Sequence, residues 1–198
     1  MLTGEMSHRV KNLFAIASAL TAIARRSAAT TGEMARDITQ RLTALGYAHE
    51  LIRPSLSYQK KAADLSELLC VLLGAYDDKG VTGDRIRISG PSVLVGESSI
   101  TTVALVIHEL ATNSIKYGAL SAVNGSLDVS FSASDGEVVL VWTEKGGPSV
   151  ALPRGVAGFG SKLVINSITG QLGGMITFNW PPEGALVTLR MSKARLGA

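Results

Sequence analysis

The chain of 198 residues has few cysteines, no long apolar run and no cluster of basic residues. Cys70 is its one cysteine, so no disulfide can form within the chain and no thiolate metal site is indicated, which fits a reducing compartment such as the cytoplasm. No apolar run reaches the length of a transmembrane helix, and the N-terminus lacks the pattern of a signal peptide. The net charge of +3 comes from scattered basic residues, which does not indicate a nucleic-acid-binding surface.

What is present is a globular composition. Hydrophobic residues make up 46% of the sequence, which is enough for a real core in one domain or two small ones. We expect Cys70, which lies in an apolar run, to be a small buried hydrophobic residue. The chain enters a predicted helix almost at its first residue, as a piece of a longer protein would.

Two helical patterns open the chain. From about residue 5 to residue 29, apolar residues recur every three or four positions and predict one apolar stripe. After Thr30-Thr31-Gly32, a second helix is predicted from Glu33 to Ile52. Its apolar side carries Met34, Ile38, Leu42 or Leu45, and His49. Because a hairpin alone leaves its stripe half covered, we expect residues 1–57 to form a four-helix bundle in a homodimer.

Residues 58–198 predict a second domain, and the whole chain is assigned to the α+β class. Asp64 opens a helix with Glu67 three residues on, a capping-box pattern. Further helices are predicted over Ile100–Tyr117 and Ser161–Leu172, which would cover a mixed sheet. The predicted strands are Arg85–Ser89, Ser92–Val95, Ser126–Ser132, Glu137–Thr143, Met175–Trp180 and Ala185–Met191.

The helix over Ile100–Tyr117 carries the most chemistry. At about 100° per residue, Glu109, Asn113 and Lys116 fall within roughly 40° of one another on one face. Such a trio suits a magnesium nucleotide, because the amide oxygen can ligate the metal, the carboxylate can order a water and the ammonium can meet phosphate. An amphipathic helix with a solvated polar stripe would show the same pattern, so the trio alone leaves both readings open.

His8 is the second candidate. On the predicted first helix it lies about opposite the apolar stripe, where another domain could reach it. A neutral imidazole is a good nucleophile near pH 7, and its attack on a γ-phosphate would give a phosphohistidine. Glu5 is the nearest carboxylate that could hold the other ring nitrogen. A plain surface histidine would fit the same position.

Four motifs in order resemble those of the HWE-type histidine kinases, members of the GHKL ATP-binding superfamily. Residues 5–12 (EMSHRVKN) resemble the phosphoacceptor box, and residues 41–45 with 48–51 resemble the second hairpin helix. The string HELATNSIKYGALS resembles the Asn-bearing helix of the GHKL fold. The family is named for a histidine in that helix and a following Trp-x-Glu, which here are His108 and Trp142-Thr143-Glu144. The resemblance runs from about residue 5 to the last strand.

The resemblance implies a GHKL-type α/β sandwich that binds ATP with Mg²⁺. Asn113 would ligate the metal, Glu109 would take part in catalysis, and Lys116 and Tyr117 would line the nucleotide site. His108 could contact the nucleotide or equally serve as a structural hydrogen-bonding residue. Glu144 would accept a hydrogen bond from the adenine amino group.

The glycine-rich segment that follows would bind the rest of the nucleotide. Gly146 and Gly147 would let the backbone approach the base closely. Residues 148–158 would form an ATP lid in which Arg154 meets phosphate. Free amides at the start of the next helix would meet phosphates as well; they belong to Gly158, Phe159, Gly160 and Ser161.

The sequence thus predicts the catalytic core of a sensor histidine kinase. It would phosphorylate itself on His8 and pass the phosphoryl group to an aspartate of a response-regulator receiver domain. Two alternatives stay open. A histidine phosphotransferase with a decayed ATP domain would fail to bind ATP, and a non-enzymatic GHKL-like binding module would leave His8 without a role.

Overall fold

The computed structural model describes residues 17–18, 20–22, 24–25, 28–51, 62–74, 76, 85–148 and 159–198. Its helices are α1 (Thr31–Leu51), α2 (Leu65–Gly74), α3 (Glu97–Tyr117), α4 (Phe159–Asn166) and α5 (Lys193–Leu196), with a 3₁₀ turn at Ala119–Ser121 and a π turn at Ser167–Gln171. The strands are β1 (Ala62–Asp64), β2 (Ile86–Ser89), β3 (Leu94–Gly96), β4 (Ser126–Ala133), β5 (Glu137–Lys145), β6 (Met175–Asn179) and β7 (Leu186–Ser192).

The main sheet has five strands in the order β2-β4-β5-β7-β6. Only β2 and β4 run parallel in it; the other neighbours are antiparallel. Strands β4 and β5 form a hairpin across the predicted Asp135-Gly136 turn, and their alternating residues are buried. The mixed sheet under helices is therefore confirmed. A second sheet is the short antiparallel pair β1–β3. Its β3 overlaps the predicted strand Ser92–Val95, whereas β1 was not predicted, because a strand of three residues carries too little pattern.

One hydrophobic core joins α2, α3, the π turn and the main sheet. Trp142 on β5 lies in it and is fully buried. Helix α2 begins as predicted, since the Asp64 carboxylate accepts the Ser66 amide at 2.8 Å and so satisfies an end group of the helix. Cys70 is an exception to the prediction: it faces away from the core on α2 and is exposed.

Helix α1 packs against α2 and α3 rather than standing apart from them. Its Ala44 and Ala48 belong to the same core as the sheet. Of the two alternatives for its apolar side, Leu45 is buried and Leu42 is 41% exposed. The preceding residues between 17 and 25 are helical where the structure describes them, and Leu20 and Ala24 are buried there as the stripe predicts. The predicted linker, residues 53–61, lies outside the described residues.

Candidate functional site

The C-terminal half of α3 presents polar side chains that are open to solvent. Asn113 is half-buried, while Lys116 and Tyr117 are exposed, Tyr117 to 73%. Within the part of the chain that the structure describes, neither the Asn113 carboxamide nor the Lys116 ammonium has a hydrogen-bond or ion-pair partner. An amide and a cation, one helical turn apart and unengaged, are available to a ligand.

Glu109 lies on the same helix, one turn before Asn113, but it does not line an open cleft. Its side chain is buried, and Oε1 lies 2.8 Å from Nη2 of Arg41 on α1, which is buried as well. The two groups form an ion pair without the alignment of a hydrogen bond. Burial raises the pKa of Glu109, and the neighbouring Arg41 cation opposes that shift. The sequence did not reveal that helix α1 covers this end of the polar face.

His108 is buried beside this ion pair and makes a structural hydrogen bond. Its Nδ1 lies 2.5 Å from the Tyr76 hydroxyl. Burial lowers the pKa of His108 to about 4, with Arg41 adding to the shift, and burial raises the pKa of Tyr76 to about 12. Both groups are therefore neutral at pH 7. Of the two roles considered for His108, the geometry favours the structural one.

Glu144 is buried at the end of β5 with both carboxylate oxygens engaged by the protein. Oε1 accepts the Trp142 indole N–H at 3.0 Å, and Oε2 accepts the Ala119 amide at 2.7 Å. A Cβ on Gly118 would collide with Glu144 Oε2, so the carboxylate keeps this position because residue 118 is a glycine. The Trp-x-Glu pair thus ties β5 to the chain that follows α3. Each oxygen keeps a second lone pair that can accept a further hydrogen bond.

The predicted glycines lie where chain segments approach closely. Gly146 has φ +71°, in the left-handed region that favours glycine. A Cβ on Gly147 would lie 2.7 Å from the Ala119 Cα. At the start of α4, a Cβ on Gly160 would collide with Glu109 Oε2. Ser161 follows it and is half-buried. Helices α3 and α4 therefore meet at Glu109 and Gly160.

The comparisons with known proteins agree with this architecture. A sequence model of the HWE histidine kinase family matches residues 5–92. Residues 5–92 are thus similar to the HWE histidine kinase domain. Blue-light-activated histidine kinase 1 of Erythrobacter litoralis (strain HTCC2594) is 35% identical over 176 residues, which cover 86% of this chain and 48% of that protein. The chain spans about half the length of this relative.

Solved structures extend the likeness to the fold. The blue-light-activated histidine kinase EL346 of Erythrobacter litoralis has a TM-score of 0.70 at 18% identity, covering 98% of this chain and 58% of that one. Histidine kinase ThkA, solved in complex with the response regulator protein TrrA, has a TM-score of 0.51 at 16% identity, covering 98% of this chain and 61% of that one. At these identities the likeness concerns the fold, and it confirms the GHKL-type arrangement expected from the sequence.

Several predicted site residues, within residues 5–92 and in the segments after them, lie outside the described residues. These are Glu5, His8, Arg154 and Gly158, together with the side chain of Phe159. Their roles stay predictions. In the described ranges, no group of three or more His, Cys, Asp or Glu side chains could hold a metal ion. No helix there is long and apolar enough to span a bilayer.

The residues present do fit Mg²⁺ as it accompanies a nucleotide. Mg²⁺ keeps most of its ligands as waters and phosphate oxygens and takes one or two from the protein. The unengaged carboxamide of Asn113 offers one such oxygen, and Lys116 lies one turn further along the helix.

Sequence reasoning missed Arg41, Asp37 and Tyr76 as neighbours of the candidate site. Arg41 appeared only within a family motif, although an arginine among buried alanines on the apolar side of a helix needs a partner. Asp37 lies one turn before it, with Oδ1 3.2 Å from the Arg41 Nε. That i, i+4 spacing was the available signal. The pairing with Glu109 could not be predicted, since the two residues are far apart in the chain.

Proposed function

We propose that this chain is the core of a sensor histidine kinase, which transfers the γ-phosphoryl group of ATP to His8 and from there to an aspartate of a response regulator. The observation that carries the proposal is the unengaged pair Asn113 and Lys116 at the end of α3, on the helix whose Glu109 lies against the start of α4. The match of residues 5–92 to the HWE histidine kinase family and the likeness of the fold to solved histidine kinases support the same function.

Each proposed role follows from the chemistry of a side chain. Asn113 would hold Mg²⁺ through its amide oxygen, Lys116 would meet phosphate, and the exposed ring of Tyr117 would lie along the nucleotide. Mg²⁺ bound with the nucleotide supplies neutralisation of the phosphate charge. Backbone amides of Gly160 and Ser161 at the start of α4 would bind phosphate oxygens.

The proposed transfer is a displacement at phosphorus. A ring nitrogen of His8 attacks the γ-phosphorus, the bond to the β–γ bridging oxygen breaks, and ADP leaves while the N–P bond forms. Glu5 would accept the proton of the other ring nitrogen. The neutral imidazole is available for this attack at pH 7.

The roles near the base and in the lid stay proposals of the same kind. Glu144 would accept from the adenine amino group with its remaining lone pairs, and Gly146 and Gly147 would leave room for the base. His108 would support the site from behind through Tyr76. Arg154 and the amides of residues 158–159 would close on the phosphates.

Two partners belong to the proposal. ThkA has been solved with a response regulator, which supports a receiver domain as the acceptor of the phosphoryl group from His8. We also propose that the N-terminal hairpin, residues 1–57, pairs with a second copy to form a four-helix bundle, with residues 58–198 as the ATP-binding domain.

Autophosphorylation with γ-labelled ATP and Mg²⁺ tests the proposal. We expect acid-labile, alkali-stable label on the wild type and none on His8→Ala or Asn113→Ala. Asn179→Ala, on the exposed edge strand β6, is the matched control and should label like the wild type. Label that persists in His8→Ala would place the acceptor elsewhere. Absence of both label and ATP binding in the wild type would contradict the kinase function and favour a phosphotransferase or a binding module.

A further inference from the structure

A charged cluster is buried where the hairpin helix α1 meets the Asn-bearing helix α3. Arg41 is 3% exposed and Glu109 4% exposed, and their ion pair at 2.8 Å crosses between the two helices. Asp37 adds a second carboxylate on α1, 3.2 Å from the Arg41 Nε. Arg41 is thus held by one acidic group from its own helix and one from the helix that carries Asn113.

The cluster continues from α3 to the start of α4. Glu109 Oε1 faces Arg41, while Oε2 occupies the space that a Cβ on Gly160 would need. A single carboxylate therefore touches the hairpin helix on one side and, on the other, the first turn of the helix predicted to bind phosphate. A shift of α1 relative to α3 would reach Gly160 through this one group.

The remaining contacts between α1 and α3 do little to fix how the two helices align. Of the buried apolar residues of α1, Ala44 and Ala48 belong to the core shared with α3, and their small side chains interlock little with that helix. Polar contacts lie on both sides of these alanines: Arg41 meets Glu109, and the His49 Nε2 lies 3.1 Å from the Thr101 hydroxyl. The two contacts are spaced alike on both helices, which run antiparallel, so together they define one register.

A buried ion pair of this kind contributes little to net stability. Desolvation of two charges offsets most of their attraction, and apolar residues of similar size are often as stable, whereas defining one register is a better-attested role. Among the described residues, three further buried polar atoms at this contact have no hydrogen-bond partner, namely Asp37 Oδ2, Arg41 Nη1 and His108 Nε2. The chain retains charge here at an energetic cost, which points to a role in function.

We propose that Arg41 is a positioning residue for phosphoryl transfer. Through its ion pair with Glu109 it fixes the register of the hairpin helix on α3 and keeps the Glu109 carboxylate against Gly160. This inference rests on the proposed function, because it concerns the alignment of the phosphoacceptor hairpin with the bound nucleotide. Arg41 acts through Glu109 and does not itself touch the nucleotide.

Kinetics of the full chain with Arg41→Met test the proposal. Met fills a similar volume without charge. We expect the autophosphorylation rate at saturating ATP to fall about 10- to 100-fold, since small misplacements of reacting groups have effects of that size. The KM for ATP and the Kd of a fluorescent ATP analogue should rise by a clearly smaller factor than the rate falls, because Arg41 itself does not touch the nucleotide. Arg41→Lys keeps the charge and should restore part of the rate.

Two control variants separate this role from a general loss of stability. Arg190→Met removes an exposed ion pair with Glu137, and Ile107→Val removes a buried methylene from the side of α3 that faces the sheet. Both should autophosphorylate at close to the wild-type rate. A wild-type or faster rate in Arg41→Met would overturn the proposal. So would a loss of rate matched by an equal loss of nucleotide affinity, or a Lys variant as slow as the Met variant.

Hydrogen exchange provides a readout that does not depend on the kinase reaction. Arg41→Met should speed amide exchange along the buried face of α1 and in the first turn of α4, and leave the β4–β5 hairpin unchanged. If the wild type binds nucleotide without incorporating label, the proposed function is wrong. The exchange rates still test whether the Arg41–Glu109 ion pair holds α1 and the start of α4 in place. Unchanged exchange at Gly160–Lys162 would overturn the positioning role, and so would an equal increase throughout the chain.

Discussion

The two long sides of helix α3 bury different chemistry. Toward α2 and the main sheet, α3 presents Val103, Val106 and Ile107, which pack against apolar residues of the strands such as Leu140 and Leu189. Toward α1 and Tyr76 it presents Thr101, His108 and Glu109, each engaged with a polar group from another part of the chain. Both sides are largely buried, but the buried charges lie on the second.

Unsatisfied polar atoms follow the same division. Within the described residues, the buried side-chain nitrogen and oxygen atoms without a hydrogen-bond partner all belong to Asp37, Arg41, His108 and Glu109. Unpaired buried polar groups cost about 1–3 kcal/mol each. The apolar side of α3 therefore stabilises the domain, whereas the unpaired atoms on the polar side lower its free energy of unfolding. The difference teaches that the side of α3 facing the hairpin is built for a specific alignment rather than for maximal stability.

The largest expected loss of stability comes from removing the Arg41–Glu109 ion pair on the polar side of α3. Arg41→Ala would leave the buried Glu109 without its cation, and removing one partner of a buried pair costs about 3–5 kcal/mol. We expect the free energy of unfolding, from urea denaturation, to fall by about that amount. The double variant Arg41→Met/Glu109→Leu should recover part of the loss, because Glu109 no longer leaves an unpaired charge, whereas Asp37 still lacks its cation. A double variant as unstable as Arg41→Ala would contradict this account.

The second effect is a pH dependence due to His108. Its folded-state pKa of about 4 lies below the usual 6.5, so the unfolded chain binds more protons between these values and stability is lost as the pH falls through this window. His108→Asn keeps a polar partner for Tyr76 but cannot titrate. Between pH 7 and pH 4.5 we expect the wild type to lose about 2 kcal/mol more than this variant.

The raised pKa of Glu109 has the opposite sign and is present in both proteins of this comparison. Its contribution is present below the ordinary carboxyl pKa and is lost as the pH rises through the folded pKa. The difference between wild type and His108→Asn therefore isolates the histidine. Parallel stability curves for the two proteins would show that the buried imidazole is not the titrating group.

A smaller effect is expected on the apolar side. Ile107→Val removes one methylene from the α3 surface that faces the sheet, and such changes cost about 0.5–1.5 kcal/mol. The loss should be independent of pH between 4.5 and 7, unlike the effect of replacing His108. Thermal and urea unfolding at both pH values measure it, and a pH-dependent cost would show that the two sides of α3 are coupled.

The smallest effect should come from a charge pair at the surface. Arg190 and Glu137 approach to 2.7 Å across β7 and β5, but their side chains are 52% and 41% exposed. Solvent screens such pairs, so Arg190→Met should change the free energy of unfolding by less than about 0.5 kcal/mol. The contrast with Arg41 tests whether burial, rather than charge pairing as such, sets the energy.

Patterns local in sequence predicted most of the fold. Alternation in Leu127, Val129 and Phe131 was sufficient for β4, and the helical spacing of apolar residues was sufficient for α3. The start of α3 was predicted three residues late, because its N-cap is Gly96 and no side chain caps the helix. A cap without a side-chain hydrogen bond leaves no signature in the sequence.

The candidate site was predicted less completely, for a physical reason. Asn113 and Lys116 are open to solvent as their helical face suggested, since exposure follows from position on one helix. Glu109 and Glu144 are instead buried by partners from distant segments, Arg41 and the amide of Ala119. Periodicity records which way a residue points on its own element, and it holds no information on which other element covers it.

The β4–β5 hairpin has a consequence for the order of events in folding. Its eight residue pairs join across a tight turn, so its closure costs far less chain entropy than pairing β2 with β4, which must enclose α3. We therefore expect the hairpin to be formed in the transition state, and α1 to dock on α3 afterwards. Substitutions at Val129 should mainly slow refolding, whereas substitutions at Ala48 should mainly speed unfolding. The alignment of the hairpin helix with α3 would then be the last part of the molecule to form and the first to be lost.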